Sequence, residues 1–240
     1  MIRVHRMKAT VLILAGGLLL TGSASAQKAA SGSDSGKGDA SPNEWKQESN
    51  GKGVAVLSRI RGGSPVREFK GVGVIEAPPG LVFAVLNDSE SYPSFMPYTA
   101  EVRVLKREKN SVTAYQRLEL PLVSPRDYTL RSEHAKWVGR DGPIYRIRWE
   151  PANDLGPAEK PGVLRVNVCE GGWLLEPEGL HATRATYTVY TDGGGSLPPF
   201  IANNGSRIAI RKVFEAVRKQ VQNPKYSAAT KGEARTIEAK

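Results

Sequence analysis

Residues 207–222, RIAIRKVFEAVRKQVQ, place Ile210, Val213, Phe214, Val217 and Val221 at intervals of three and four. That spacing sets the five side chains on one stripe of an α-helix. Arg207, Arg211, Arg218 and Lys219 fall mostly off the stripe, so the predicted helix is apolar on one side and basic on the other. Pro198-Pro199 opens it, which gives a helix of about 23 residues. Gly205 interrupts it early and lets it bend, at about 1 kcal/mol relative to alanine. A helix so built needs an apolar surface to lie against.

The upstream sequence supplies one in period-two segments. Val54 to Ile60 follows two glycines. Arg67 to Ala77 alternates Phe69, Gly71, Gly73 and Ile75 against Glu68, Lys70, Val72 and Val74. Pro78-Pro79 suits a helix start, with Val82, Phe83 and Leu86 on one face, and Ser91 to Pro97 reads as a short second helix or turn. A train of strands is then predicted at about Ala100–Arg107, Ser111–Leu120, Arg126–Lys136, Ile144–Trp149, Val163–Glu170, Trp173–Glu176 and Ala182–Thr191. Glu108 to Asn110, Arg140-Asp141-Gly142-Pro143 and Gly171-Gly172 are read as the turns between them. This regular spacing predicts an antiparallel meander. Strands, two short helices, many strands and one long helix describe an α+β domain in which a curved antiparallel sheet wraps the C-terminal helix. Curved sheets of this size leave a hollow that side chains do not fill, and an apolar hollow is a site for an apolar ligand.

Composition narrows the classes. The chain has 240 residues, 40% of them hydrophobic, with 34 basic and 24 acidic side chains. Cys169 is the single cysteine, which excludes an intramolecular disulfide and a thiolate metal cage. His134 and His181 lack metal-ligand spacing, so no metal is expected. No GxSxG, P-loop or GxGxxG occurs, and Gly193-Gly194-Gly195 lacks the Lys and Ser/Thr of a phosphate loop. No cofactor is expected either.

The ends of the chain read as an address and two loose segments. Arg3, Arg6 and Lys8 precede an apolar run, Val11 to Leu20, and then Ala24-Ser25-Ala26. This is the pattern of a signal peptide over residues 1–26, with an uncleaved anchor as its alternative. The run is shorter than the roughly 20 residues a membrane span needs. Gln27, not cysteine, follows the expected cut, which speaks against lipoprotein processing. Residues 27–43 read as a flexible linker, 44–222 as the folded domain, and 223–240 as a loose tail. The expected mature chain is periplasmic or secreted and keeps 31 basic against 24 acidic residues. Outside the cytosol, anionic lipid headgroups are a more available partner for that charge than nucleic acid. A solvated basic surface is the alternative.

Several fragments, in this order along the chain, resemble one family. Pro78-Pro79-Gly80-Leu81-Val82-Phe83-Ala84-Val85-Leu86 followed by Tyr92-Pro93-Ser94-Phe95-Met96-Pro97 is similar to a paired helical motif of the START domains, the steroidogenic-acute-regulatory-related lipid-transfer modules. Pro125-Arg126-Asp127-Tyr128 resembles their "PRDF" segment. Trp173 before Glu176-Pro177 resembles their penultimate strands, and Thr191-Asp192-Gly193-Gly194-Gly195-Ser196-Leu197-Pro198 resembles the segment that leads into their C-terminal helix. The resemblance spans about Glu44 to Gln222. It implies a helix-grip fold with an internal hydrophobic tunnel for one lipid, lidded by the C-terminal helix. Family members carry sterols, phospholipids, ceramide or other hydrophobic molecules. Sterol-binding members place an acid and a basic partner at positions that fall near Arg117 and Ser132 here, so the resemblance does not extend to that pair.

These readings converge on an exported lipid-binding or lipid-transfer protein. It is expected to be a monomer that touches anionic membranes transiently, binds no nucleic acid and performs no catalysis. A chain of about 16 carbons crossing water exposes apolar surface worth roughly 12 kcal/mol, which an apolar tunnel removes. The candidate ligand-binding residues are Tyr115, Arg117, Tyr128, Leu130, Ser132, Asn167, Phe200, Ile201, Asn204 and Ile208. Facing inward, Arg117 could clamp a phosphate or carboxylate headgroup through paired hydrogen bonds; facing outward, it is a surface charge. Arg126 and Asp127 read as structural contacts at the start of a strand. The alternative function is a polyketide-cyclase or hydrolase-like enzyme of the same superfamily, with Asp127, His134 or Glu119 as its acid or base.

Overall fold

The computed structural model describes residues 43–62, 66–121, 123–194 and 199–227, with the backbone alone for 199–204. The expected signal peptide and nearly all of the linker lie outside the described residues. The described residues open with a hairpin: β1 (Lys46–Gly51), which the sequence reading did not include, turns into β2 (Val54–Ile60), the expected period-two segment. Its turn residues Lys52 and Gly53 have φ of 54° and 65°, the left-handed geometry that matches the twist of paired strands. β3 (Arg67–Ile75) follows, then α1 (Pro79–Asn87) and a one-turn α2 (Tyr92–Phe95). The meander is β4 (Thr99–Arg107), β5 (Ser111–Leu118), β6 (Arg126–Gly139) and β7 (Gly142–Pro151). A two-residue β8 (Leu164–Arg165), β9 (Val168–Glu178), β10 (Ala182–Asp192) and α3 (Pro199–Gln220) complete the chain.

These strands form one sheet in the order β1-β2-β3-β10-β9-β7-β6-β5-β4, antiparallel throughout, with β8 pairing parallel to the start of β6. One turn assignment differs from expectation. Gly171-Gly172 lies in the middle of β9, which pairs continuously with β10 from Val168 to Glu178. The glycines are there because neighbours approach closely. A Cβ on Gly171 would lie 2.5 Å from the Trp149 ring, and one on Gly172 2.5 Å from the Ile147 carbonyl oxygen.

The core lies between the concave face of the sheet and α3. Ile210, Phe214, Val217 and Val221, four members of the predicted stripe, are buried with Val54, Val56, Phe69 and Ile75 of the sheet and Val82, Val85 and Leu86 of α1. The contact depends on Gly71, where a Cβ would fall 2.6 Å from Ile210 Cγ2 and 3.0 Å from the Phe214 ring. Arg218 fastens the same part of the helix by donating to the carbonyls of Lys52, Gly53 and Val74 at 2.7–3.0 Å. Other cations of the helix are also engaged: Arg207 pairs with Glu48 at 3.1 Å and Lys212 donates to the Tyr98 hydroxyl.

Ordered structure continues past Gln222, where a loose tail was expected. Tyr226 is buried, and its hydroxyl donates to Asp88 at 2.8 Å, beside a 2.5 Å ion pair from Lys225. Burial alone would raise the Asp88 carboxyl, but the hydrogen bonds from Lys225, Ser91 and Tyr226 outweigh it and hold the group below its usual range.

Two stability measurements test these contacts. Gly71→Ala should lower the free energy of unfolding by about 1–3 kcal/mol through overpacking against Ile210, read from urea denaturation. A carboxylate held low in the folded state stabilises above its unfolded pKa, and that stability is lost as pH falls through the usual aspartate value and below. Asp88→Asn should therefore lower the urea midpoint at pH 7, and the difference from the parent should shrink as the pH is taken below 3.8.

Candidate ligand-binding site

The strand β7 assigns the faces of the sheet. Tyr145 and Ile147 are buried, whereas Arg146 and Arg148 are exposed. Register then carries the inner face across the neighbours. Ile147 stands opposite Trp173 and His134, Trp149 opposite Gly171 and Ser132, and Tyr187 opposite Trp173. On β5 the inward residues are Ala114, Gln116 and Leu118, opposite Leu130, Tyr128 and Arg126 of β6.

Packing along this face is uneven. Beside the second half of α3, Leu175, Ala185 and Phe214 have no exposure. Farther along β6, β7 and β10, the inward side chains Tyr128, Ser132, Trp149, Tyr187 and Val189 keep accessible surface. Yet Tyr128 and Tyr187 lie deep enough that burial raises both phenol pKa values well above normal. Side chains that are deep and still accessible leave space on this part of the inward face that the described residues do not fill, the hollow that a ligand would enter. The wall is aromatic: Tyr187 sits between Trp149 and Trp173, with ring centroids 5.7 and 4.7 Å away, and Trp173 meets Phe214 at 5.3 Å. The space left by Gly171 admits the Trp149 ring.

Polar groups on the wall are few. The Tyr128 hydroxyl donates to Gln116 Oε1 at 3.4 Å. Burial, the dominant cause, pushes the Cys169 thiol up to about 11, so it stays protonated and is a poor nucleophile. His134 meets the Phe83 ring edge-on at 5.5 Å, and burial, then the charge of Arg107, lowers its pKa. Arg126, 6% exposed, donates to the carbonyls of Gly193 and Ser124. The Gly193 bond ties it to the chain just past the end of β10. At the opposite end of the sheet a solvent-open cleft of about 600 Å³ is lined by Arg140, Asp141, Glu176, Glu178 and Arg184 among others, and its charged rim does not suit an apolar guest.

The structure brings together three of the residues singled out from sequence. Tyr128, Leu130 and Ser132 share the inward face of β6. Tyr115 and Arg117 lie on the opposite face of β5, so they do not reach the hollow. Arg117 donates to Glu101 at 3.3 Å and pairs with Glu119, which places it in a surface ion-pair cluster. Tyr115 donates to Asp127 at 3.2 Å, and Asp127 is gripped by Arg165 at 2.7 and 3.3 Å. Asn167 is exposed and accepts a hydrogen bond from Asn153 at 3.2 Å. Ile208 is 53% exposed on α3. The side chains of Phe200, Ile201 and Asn204 lie outside the described residues. Trp149, Trp173, Tyr187, Val189 and Gln116 were not singled out, although alternation in β7 already sets Tyr145, Ile147 and Trp149 against Arg146 and Arg148.

The three candidates for acid–base chemistry are dispersed. Asp127 and His134 lie on opposite faces of β6, seven residues and about 23 Å apart along the strand. Glu119 is exposed and tied to Arg117.

Known proteins place this arrangement. Residues 75–218 match the family described as polyketide cyclase / dehydrase and lipid transport. An uncharacterised protein of Pseudomonas aeruginosa is 30% identical over 168 residues, covering 70% of this chain and 81% of that one. A STAR-related lipid transfer protein fragment from Xanthomonas axonopodis superposes with a TM-score of 0.67 at 28% identity, over 75% of this chain and 99% of that one. Human StAR-related lipid transfer protein 5 superposes with a TM-score of 0.65 at 19% identity, over 74% and 86%. The chain is therefore a hydrophobic-ligand-binding domain of α+β helix-grip architecture, and it belongs to the polyketide cyclase / dehydrase and lipid transport family.

Proposed function

We propose that the protein is an exported carrier that holds one lipid or similar hydrophobic molecule in the hollow and leaves it chemically unchanged. The observation that carries this reading is the wall of Tyr128, Trp149, Tyr187 and Val189, deep within the sheet and still accessible. A wall of that composition favours an apolar guest through burial of its surface. The dispersal of Asp127, His134 and Glu119 supports carriage over catalysis, because general acid–base chemistry needs a group within hydrogen-bond reach of the reacting atom. The similarity to the Xanthomonas lipid transfer protein points the same way. Export rests on the basic and apolar N-terminal pattern with its small-residue cleavage motif. Contact with anionic membranes rests on the basic excess of the chain, carried by cations other than Arg207 and Arg218, which have internal partners.

Native mass spectrometry of the protein purified from its own host tests the reading. A stoichiometric adduct that extracts as an intact lipid is the expected result. A protein that arrives empty and takes up no lipid from phosphatidylglycerol vesicles would overturn it. Edman sequencing of the secreted or periplasmic chain should begin at Gln27.

A further inference from the structure

We infer that the molecule held in the hollow is an amphiphile with an anionic head, a carboxylate or a phosphate, and that Arg126 binds that head. The inference rests on the carrier reading and adds a charge to the ligand. Arg126 shares the inward face of β6 with Tyr128, Leu130 and Ser132, and only 6% of it is exposed. Its described partners are two neutral carbonyls, Gly193 O at 3.2 Å from Nε and Ser124 O at 2.5 Å from one terminal nitrogen. A guanidinium carries five N–H donors, so the remainder face no described acceptor.

Arg218 is likewise held by carbonyls, but it uses Nε and both terminal nitrogens on those of Val74, Lys52 and Gly53, and five other arginines of restricted exposure have a carboxylate. Arg59 pairs with Glu68, Arg67 and Arg207 with Glu48, Arg117 with Glu101, and Arg165 with Asp127. Among the described residues no carboxylate pairs with Arg126. Its chain neighbour Asp127 points to the opposite face of the strand and is taken by Arg165 and Tyr115. A buried cation without a counter-charge is costly, and a planar guanidinium suits a carboxylate or phosphate that can accept two parallel hydrogen bonds. The surroundings fit such a head followed by a chain. Tyr128 and Gln116 add polar groups next along the face, and Trp149 and Tyr187 then continue it as an aromatic wall. From Arg126 to Ser132 the strand covers about 20 Å, a length comparable to an extended long acyl chain.

Three ligands sharing one hydrocarbon chain separate the possibilities: palmitate, hexadecyl phosphate and hexadecanol, each displacing N-phenyl-1-naphthylamine from the full chain at pH 7.5. The anions should bind at least about tenfold tighter than the alcohol, and the tighter anion tells carboxylate from phosphate. In Arg126→Gln the anions should fall to within about threefold of the alcohol, whose own affinity stays unchanged, whereas Arg126→Lys should keep a preference for anions. Hexadecanol binding as tightly as both anions would overturn the anionic head and leave the carrier reading standing. If none of the three displaces a bound probe, the carrier reading fails with it. An anion preference that survives in folded Arg126→Gln would remove the role of Arg126. Should that variant fail to fold, as judged by circular dichroism, the wild-type comparison decides the head and Arg126→Lys decides the residue: an anion preference lost in folded Arg126→Lys would overturn its assignment.

Discussion

The seating of Phe214 on Gly71 governs the rest of the fold. A helix can lie in a curved sheet only as close as the side chains between them allow, and here the floor has no side chain. Gly71 and Gly73 bring the Phe214 ring against the backbone of β3, and the ring retains no exposure. Full burial of such a side chain contributes about 1.5–3 kcal/mol. Its larger effect is positional. Phe214 meets Trp173, Trp173 meets Tyr187, and Tyr187 meets Trp149, so one close approach orders a row of rings from the filled end of the concave face to the unfilled one. A bulkier residue at position 71 would lift the helix and loosen that row.

The opposite face of the sheet is sealed by other means. Segment 152–167 is fastened to it by Asn153, which accepts from the Thr129 N–H and donates to the Val166 carbonyl, and by Arg165 on Asp127. A buried ion pair of this kind is weak evidence for stability, because desolvation offsets much of the attraction. Its use lies in geometry. Removing Arg165 would leave an uncompensated carboxylate beneath the segment, so the pair holds one arrangement of chain over β5 and β6. It also occupies the carboxylate next to Arg126 in the chain, and thereby leaves the two arginines in different situations, one paired with a carboxylate among the described residues and the other not.

Sequence periodicity exposed the architecture because it follows solvent contact. The stripe in α3 is legible since that helix is buried on one side and wet on the other, and the alternation in β7 is legible for the same reason. β5 is not. Ser111 through Tyr115 are buried without alternation, and on the outward side Ser111 donates to Glu108 while Tyr115 lies under Arg103 and donates to Asp127. Two-sided burial erases the period-two signal, which is why Tyr115 and Arg117 could be read as lining the hollow. Only register resolves them, by setting Gln116 opposite Tyr128 and Arg117 opposite Asp127. Gly171-Gly172 misleads for a related reason. Paired glycines mark a turn when the chain must reverse, and they mark mid-strand when a neighbour's ring or carbonyl needs the space. The sequence around them is the same in both cases, and the Trp149 ring that decides the matter lies 22 residues upstream.

What the hollow can do follows from which of its groups can change charge. The thiol of Cys169 is held protonated by burial, and the phenols of Tyr128 and Tyr187 are pushed further from ionisation than in water. His134 is driven towards its neutral form by burial and packs its ring on Phe83. A cavity so lined offers little proton-transfer capacity near neutral pH, and its interactions with a guest are those of burial and fixed hydrogen bonds. Burial of hydrocarbon scales with area and distinguishes poorly between chains of similar length. Discrimination must then come from the end of the guest that meets a directional group, and the strongest such group on the inward face is the guanidinium of Arg126. Its bonds to the carbonyls of Gly193 and Ser124 fix it on that face just past the end of β10.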